Sequence, residues 1–302
     1  MSEISVATPS RLGLWIRAAR PRTLTISLAP IAVGVAHASA TFGRVAVLPV
    51  AAAAISALAI QIATNLANDA ADGERGLDGP RRLGPTRVTG SGLMRAADVR
   101  RGAVIATLIA VVSGLLAVAL GGGLPILLIG IGSVLAAWAY SSGPRPISHT
   151  PFGEVFVVAW FGVAAVVGIE WLAAGAVSPI AFVLGVAVGL PAAAVLTVNN
   201  HRDRVADAQN GRRTLAILVG ESGAVLLYAA ELIAAVLLSA AVAPSWICTG
   251  VVALALLPAG VLARRLAVLP IGRELNERLA ATAGFQLLLS ALVVCALLGG
   301  FG

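Results

Sequence analysis

The chain has 302 residues, of which 59% are hydrophobic and only 12% are charged, and its mean hydropathy is +0.95. A soluble domain carries about a quarter charged residues, so this composition excludes a soluble globular protein and indicates a polytopic membrane protein. The net charge of +7 arises from 21 basic residues, all of them arginine. Because these arginines separate apolar segments and cluster on no soluble domain, nucleic acid is excluded as a partner.

The predicted elements begin with residues 11–22, a basic, amphipathic stretch with no cleavage-like end. This is not the pattern of a secretory signal, so we expect the first apolar span to remain in the mature protein. Nine apolar runs follow, each near the length of about 17–25 residues that a membrane helix needs. Their predicted bounds are 23–41, 46–66, 102–120, 124–141, 155–174, 180–199, 222–243, 246–264 and 279–299. We therefore predict an all-α fold with nine transmembrane helices, and a single membrane domain over residues 1–302.

The arginines fix the expected orientation. All of the arginines except Arg44 lie before the first span or in every second connection between spans, which places them on one side of the membrane. Arg44 lies on the other side. The positive-inside rule makes the arginine-rich side cytoplasmic. We expect a protein integral to the cytoplasmic (inner) membrane of a bacterium, with its active site facing the cytoplasm.

Two polar clusters interrupt this apolar pattern, one at residues 65–87 and one at 199–214. Each follows the second span of a four-helix group, begins with asparagine and ends near arginines. This weak repeat predicts that helices 1–4 and 5–8 are related halves, with helix 9 added. The orientation places both clusters on the same cytoplasmic face.

The spacing of the carboxylates indicates a shared site. Asp69 and Asp72 are three residues apart, and Asp203 and Asp207 are four apart, so each pair shares one face of a helix that continues past its span. Hard cations such as Mg²⁺ prefer oxygen ligands and often share them with substrate phosphates, and arginine binds phosphate through a planar fork. One such cluster alone is as often a solvated surface. Two clusters on one face favour a Mg²⁺ site for a lipid diphosphate.

At these residues the chain resembles the UbiA superfamily of intramembrane prenyltransferases. The resemblance is carried by WIRAARPRTL, NLANDAADGERGLDGPRRLGPTRVTGSGLM, YSSGPRPISHTPFGEVFV and NNHRDRVADAQNGRRTLAILVG, which occur in the family's order over about a third of the chain. The extended run NDxxDGxxGxDxPxRxGPxR is typical of the branch that prenylates 1,4-dihydroxy-2-naphthoate. The resemblance implies nine helices around a central cavity.

The resemblance also implies roles for the matching positions. Asp69, Asp72, Asp203 and Asp207 would bind Mg²⁺ and act in catalysis with Asp78, which lies farther along the chain than the third acid of the general superfamily pattern. The residues expected to bind the substrates are Asn65, Asn68, Arg82, Arg87, Tyr140, Arg145, Asn199, Asn200 and Arg213.

The expected reaction is Mg²⁺-dependent transfer of a polyprenyl group from polyprenyl diphosphate to 1,4-dihydroxy-2-naphthoate. Diphosphate and CO₂ leave, and the product is of the demethylmenaquinone type, an intermediate of menaquinone biosynthesis. The apolar tail would lie in contact with membrane lipid, and Asp78 is a candidate base for the ring hydroxyl.

Two other functions fit parts of the pattern. One is a related prenyltransferase with hydroxybenzoate, haem or chlorophyllide as the acceptor, which the GxDxPxRxGPxR extension argues against. The other is an ion-coupled transporter, which would place its acids near the membrane midplane and not at one face.

Overall fold

The computed structural model describes residues 10–76, 83–85, 87–141 and 145–299, and these residues form helices without strands. The helices are α1 (Arg11–Ala19), α2 (Pro21–Phe42), α3 (Val47–Glu74), α4 (Ala96–Ala117), α5 (Gly123–Ser141), α6 (Gly153–Val157), α7 (Ala165–Ala174), α8 (Pro179–Gln209), α9 (Leu215–Ala241), α10 (Trp246–Ala253), α11 (Leu256–Val268) and α12 (Leu275–Leu298). Wider, π-helical turns at Val118–Gly122 and Val158–Ala164 join α4 to α5 and α6 to α7.

Within the described ranges, eight helical segments are long and apolar enough to cross a membrane. One of them, Ala96–Tyr140, has 45 residues, whereas about 20 residues suffice for one crossing. This segment is broken at Gly121, where φ is 122°, and at Gly123, where φ is 58°. Only glycine adopts such angles without steric strain. Since α4 and α5 both pack against α3, the segment makes two crossings, and the described residues contain the nine that the sequence predicts.

The helices α3 and α8 extend beyond their predicted spans. The prediction ended them at residues 66 and 199, but they continue to Glu74 and Gln209. The two aspartate pairs, Asp69 with Asp72 and Asp203 with Asp207, therefore lie on the last turns of these helices, as their spacing predicts. Both helices end on the same side of the bundle, where their carboxylates meet one arginine.

A central cavity lies between α2, α3, α5, α7, α8 and α12, while α9, α10 and α11 supply none of its lining residues. These outer helices pack against α8 and α12. The relation between helices 1–4 and helices 5–8 stays a prediction.

Glycine allows one wall of the cavity to pack closely. A Cβ atom on Gly162, in the π-helical segment, would lie 2.8 Å from the Cα atom of Gly189 in α8. Small residues permit such backbone approach between membrane helices, where van der Waals packing provides much of the association energy.

We expect Gly162→Ala to lower the melting temperature in detergent, because the added methyl group separates the segment from α8. Overpacking of this kind costs about 1–3 kcal/mol. Gly250→Ala in α10 is the matched control, since its Cβ would meet open space. Equal melting temperatures for the two variants would contradict the close approach.

Candidate active site

The cavity has a volume of about 750 Å³ and is polar at one end. Its polar lining comes from the last turns of α3 and α8 and from the α1–α2 side, and its apolar lining comes mainly from the middle of the helices. The polar residues on the α3 and α8 side include Asn65, Asn68, Asp69, Asp72, Arg87, Asn199, Asn200, Arg202 and Arg212. Such a cavity suits a ligand with a charged head and a hydrocarbon tail.

The two carboxylates of the first cluster have different surroundings. Asp69 is 2% exposed. Its Oδ1 accepts from the Thr89 backbone nitrogen at 3.0 Å and its Oδ2 accepts from Val88 N at 3.2 Å. Asp69 therefore fastens the segment that follows Arg87. Asp72 instead pairs with Arg87, whose Nη1 also donates to the Asn68 carbonyl at 2.8 Å.

The second cluster meets the first through a single guanidinium group. The nitrogens of Arg212 lie 3.1 Å from Asp207 Oδ1 and 3.5 Å from Asp72 Oδ1. One cation therefore reaches a carboxylate from each cluster. The two acidic clusters, which are separated by more than a hundred residues in the chain, form one site.

Arg202 organises the other side of this site. It is 2% exposed, and its nitrogens donate to Asp203 Oδ1 at 2.9 Å and to Asn199 Oδ1 at 2.8 Å. Its Nη1 donates to Asn276 Oδ1 at 2.6 Å, and Asn276 Nδ2 donates to the Leu83 carbonyl at 2.9 Å. The last helix, α12, thus ties the second cluster to the segment that follows the first.

The remaining asparagines hold neighbouring elements. Asn65 Nδ2 donates to the Ala19 carbonyl at 2.8 Å and to Thr23 Oγ1 at 2.9 Å, which fastens the α1–α2 junction to α3. Asn200 Nδ2 donates to Glu154 Oε1 at 2.9 Å, so the amide oxygen of Asn200 is left for the cavity that it lines.

Three aromatic rings extend the lining from the polar end. The rings of Tyr140 and Phe156 stack with their centroids 5.9 Å apart, and the ring of Trp160 follows at 6.1 Å from Phe156. All three residues line the cavity.

Two predicted substrate-binding residues do not line the cavity, and two other predicted site residues are not among the described residues. The side chains of Arg145 and Arg213 are exposed and line no part of the cavity. Asp78 and Arg82 lie outside the described residues. Of the predicted acids, Asp203 and Asp207 reach the site through their arginine partners and are not themselves lining residues.

The structure adds residues that the sequence reasoning did not include in the site. Arg202 and Asn276 bridge helices, and Arg17, Arg20 and Arg22 line the cavity from the α1–α2 side. The structure also brings Arg212 into the site, where it contacts Asp72 and Asp207. Two features of the sequence could have identified Arg202 and Asn276: a charged residue beside Asp203, and an asparagine near the start of the last apolar span. Polar groups at a membrane boundary are commonly functional.

His149 lies beside the acid–arginine site, between α5 and α6. Burial lowers the pKa of His149 to about 4, and the positive charges of Arg212 and Arg75 act in the same direction, while Asp72 opposes them. The imidazole is therefore neutral at pH 7.

Glu231 lies in α9 outside the cavity, and both of its oxygens accept from Thr197 Oγ1, at 3.1 Å and 2.9 Å. This acid joins two neighbouring helices. That arrangement is one of the roles expected for a carboxyl group within a membrane span.

In the described part of the chain, no group of three or more His, Cys, Asp or Glu residues is arranged as a metal site. Asp72, Asp203 and Asp207 pair with arginines instead. The atoms that these three side chains can offer to a metal ion are all carboxylate oxygens.

Nine crossings around an apolar cavity, with clustered acids and arginines at one end, define an intramembrane protein suited to an anionic amphiphile. The chain belongs to the UbiA prenyltransferase family, whose model matches residues 27–289. The resemblance seen in the sequence motifs is thereby confirmed.

Relatives and solved structures agree with this assignment. The chain is 37% identical to the 1,4-dihydroxy-2-naphthoate octaprenyltransferase of Mycobacterium leprae, over 79% of this chain and 81% of that one. It is 36% identical to the Escherichia coli enzyme of the same name, over 71% of each chain. Its fold matches a UbiA homolog from Archaeoglobus fulgidus bound to GPP and Mg²⁺, with a TM-score of 0.68, 16% identity, and coverage of 94% of this chain and 99% of that one.

The low pKa of His149 predicts a pH dependence of stability. The pKa of a histidine in an unfolded chain is about 6.5. Below that pH the unfolded chain therefore binds a proton at His149 that the folded chain does not bind. The stability associated with the neutral imidazole is complete above about pH 6.5 and is lost as the pH falls toward about 4. Melting temperatures between pH 7 and pH 5 should fall more steeply for the wild type than for His149→Asn. Parallel curves would contradict the shift.

The bridging role of Asn276 predicts a local effect on backbone exchange. Asn276→Ala removes the donor to the Leu83 carbonyl, so the backbone amides of residues 83, 84 and 87–90 should exchange hydrogen faster. Asn276→Asp should do the same, because a carboxylate can still accept from Arg202 but cannot donate to Leu83. Ser290→Ala in the same helix is the control. Unchanged exchange in both Asn276 variants would show that the contact does not hold the segment.

Proposed function

We propose that the protein transfers a polyprenyl group from polyprenyl diphosphate to 1,4-dihydroxy-2-naphthoate, with loss of CO₂ and diphosphate, in menaquinone biosynthesis. Membership of the UbiA family supports prenyl transfer. The names of two relatives, at 37% and 36% identity over most of the chain, support the naphthoate acceptor.

One observation carries the proposal. Arg212 contacts Asp72 of the first cluster and Asp207 of the second at the polar end of an otherwise apolar cavity. This arrangement concentrates carboxylates and guanidinium groups where a diphosphate head would enter, while the rest of the cavity accommodates an isoprenoid tail.

The donor set fits Mg²⁺. Asp69, Asp72, Asp203 and Asp207 supply hard carboxylate oxygens, and asparagine residues line the same end of the cavity. The four carboxylates carry more negative charge than the positive charge of Arg87, Arg202 and Arg212 beside them. Additional cations are therefore needed to offset the charge of a diphosphate that binds among them. Asp72, Asp203 and Asp207 would hold Mg²⁺, which supplies electrostatic stabilisation of the departing diphosphate.

The arginines of the chain take part in the same step. Arg87 and Arg212 present planar forks at the polar end and can bind the phosphate oxygens on which negative charge develops as the allylic C–O bond breaks. Their carboxylate partners keep them in position before the substrate arrives.

The cavity wall stabilises and shelters the allylic cation. Tyr140, Phe156 and Trp160 line the cavity, and the π-electrons of an aromatic ring attract a cation. The apolar lining from α3, α5 and α7 limits the access of water, which would otherwise capture the cation.

The acceptor ring completes the reaction. The electron-rich ring carbon that bears the carboxylate forms the new C–C bond to the allylic carbon, and the bond to the carboxylate breaks to release CO₂. Arg17, Arg20 and Arg22 give the lining positive charge on the α1–α2 side, which suits an anionic aromatic acid. Asp78 is retained from the sequence as a candidate base for the ring hydroxyl.

We also propose that the protein lies in the cytoplasmic membrane of a bacterium with the acid–arginine site at the inner face. All but one of its 21 arginines fall on connections at that side. The hydrocarbon tail would contact membrane lipid.

Product analysis tests the reaction directly. The protein in lipid nanodiscs is incubated with Mg²⁺, a polyprenyl diphosphate and either dihydroxynaphthoate or hydroxybenzoate, and the products are measured by mass spectrometry. The proposal predicts a prenylated, decarboxylated naphthalene product that disappears with EDTA. Turnover of hydroxybenzoate alone would replace the proposal with another acceptor, and no product from either would refute it.

Asp72→Asn and Asp207→Asn should each lower kcat/KM by about a hundredfold or more, since each removes a charge at the diphosphate end. Glu221→Gln is the matched control, because Glu221 pairs with Arg204 away from the cavity. Melting temperatures establish that the variants are folded. Wild-type kcat/KM in both Asp variants would overturn the assignment of these acids.

A further inference from the structure

A second concavity lies outside the central cavity, on the surface formed by α1, α3 and α4. It has a volume of about 470 Å³ and is lined by apolar side chains and a glycine, among them Trp15, Leu58, Ile62, Ile105 and Ile109. It shares no lining residue with the central cavity. We refer to it as the α3–α4 groove.

The length of the groove matches one leaflet of a membrane. Along α3 its lining runs from Ile55 to Leu66, which at 1.5 Å per residue is about 16 Å. One half of a bilayer hydrocarbon core is about 15 Å. The groove is therefore suited to an acyl chain that descends from the cytoplasmic interface.

Helix α1 closes the interfacial end of the groove. A Cβ atom on Gly102 would lie 2.5 Å from the nearest atom of the Trp15 ring, so the glycine allows the indole to rest on α4. Leu12 and Ile16 on the same short helix are 70% and 50% exposed. A helix with exposed apolar residues and flanking arginines is expected to lie in the plane of the interface.

The charges around this end are mainly positive. Arg11 lies one helical turn before Trp15, and Arg101 directly precedes Gly102. Arg101 and Arg95 approach Asp98 at 3.5 Å and 2.8 Å, and their own side chains stay 77% and 80% exposed. The charge of Arg11 also acts on Asp98. Three arginines therefore share one carboxylate, and the excess positive charge faces the headgroup region.

We propose that the α3–α4 groove is a binding site for a phospholipid with an anionic headgroup. One acyl chain lies in the groove below Trp15, and the headgroup phosphate lies between Arg11 and Arg101. The apolar lining can bind the acyl chain of any phospholipid. The arginines favour lipids with a negative headgroup, since each basic side chain near a membrane surface attracts anionic lipid.

Quenching of Trp15 fluorescence by brominated lipid tests the site. The protein is reconstituted in vesicles that contain either brominated phosphatidylglycerol or brominated phosphatidylcholine, with bromine near the glycerol end of the chains. The difference between the wild type and Trp15→Phe gives the contribution of Trp15. Stronger quenching by the phosphatidylglycerol is expected, and equal quenching by the two lipids would overturn the proposal.

Charge variants locate the headgroup. The relative binding constant for phosphatidylglycerol over phosphatidylcholine should fall about fivefold for each of Arg11→Gln and Arg101→Gln. Arg265→Gln, an exposed arginine of α11 away from the groove, should retain the preference. If Arg265→Gln lowers it equally, or if neither groove variant lowers it, the preference belongs to the whole surface and the site is refuted.

A second variant tests the groove independently of charge. Ala106 lines the groove and is 7% exposed, so Ala106→Leu should reduce the quenching of Trp15 by both lipids while the preference between them is retained. Unchanged quenching would show that no acyl chain occupies the groove.

Discussion

The contact of Arg212 with Asp72 and Asp207 is the interaction on which the site depends. Carboxylates at the end of an apolar helix are unfavourable unless they are paired, and here one guanidinium pairs with an acid from each half of the chain. The contact also fixes the ends of α3 and α8 relative to each other. Diphosphate and metal binding, as proposed, would exploit a charge cluster that the fold already requires for its own stability.

Rigid helices and small residues place this charge cluster at the cavity. Helices α3 and α8 continue past the apolar core and carry their acids on their last turns. Gly162 and Gly189 let the wall at α6–α7 approach α8 closely, while the non-helical backbone at Gly121 separates α4 from α5. The apolar end of the cavity is thus shaped by packing, and the polar end is shaped by ion pairs.

The end of the helix bundle that carries the acidic residues has two regions of different character. At the acid–arginine site, Arg87, Arg202 and Arg212 pair with carboxylates, and Arg202 is only 2% exposed. At the α3–α4 groove, arginines outnumber the carboxylate and remain exposed. The first arrangement favours a substrate that binds together with metal and replaces the carboxylates as partners of the arginines. The second favours an anionic lipid headgroup, because the exposed arginines outnumber their carboxylate partner.

The sequence alone determined the membrane class, the nine crossings, the family and the common side of both acidic clusters, because hydropathy, arginine distribution and motif spacing are local properties. It could not reveal that Asp69 fastens the segment at Val88 and Thr89, or that Asn276 bonds to Arg202. It also placed Arg145 and Arg213 among the site residues, whereas their side chains are exposed away from the cavity. Only the tertiary structure decided these contacts, since the direction of a side chain depends on how helices distant in the chain pack against one another.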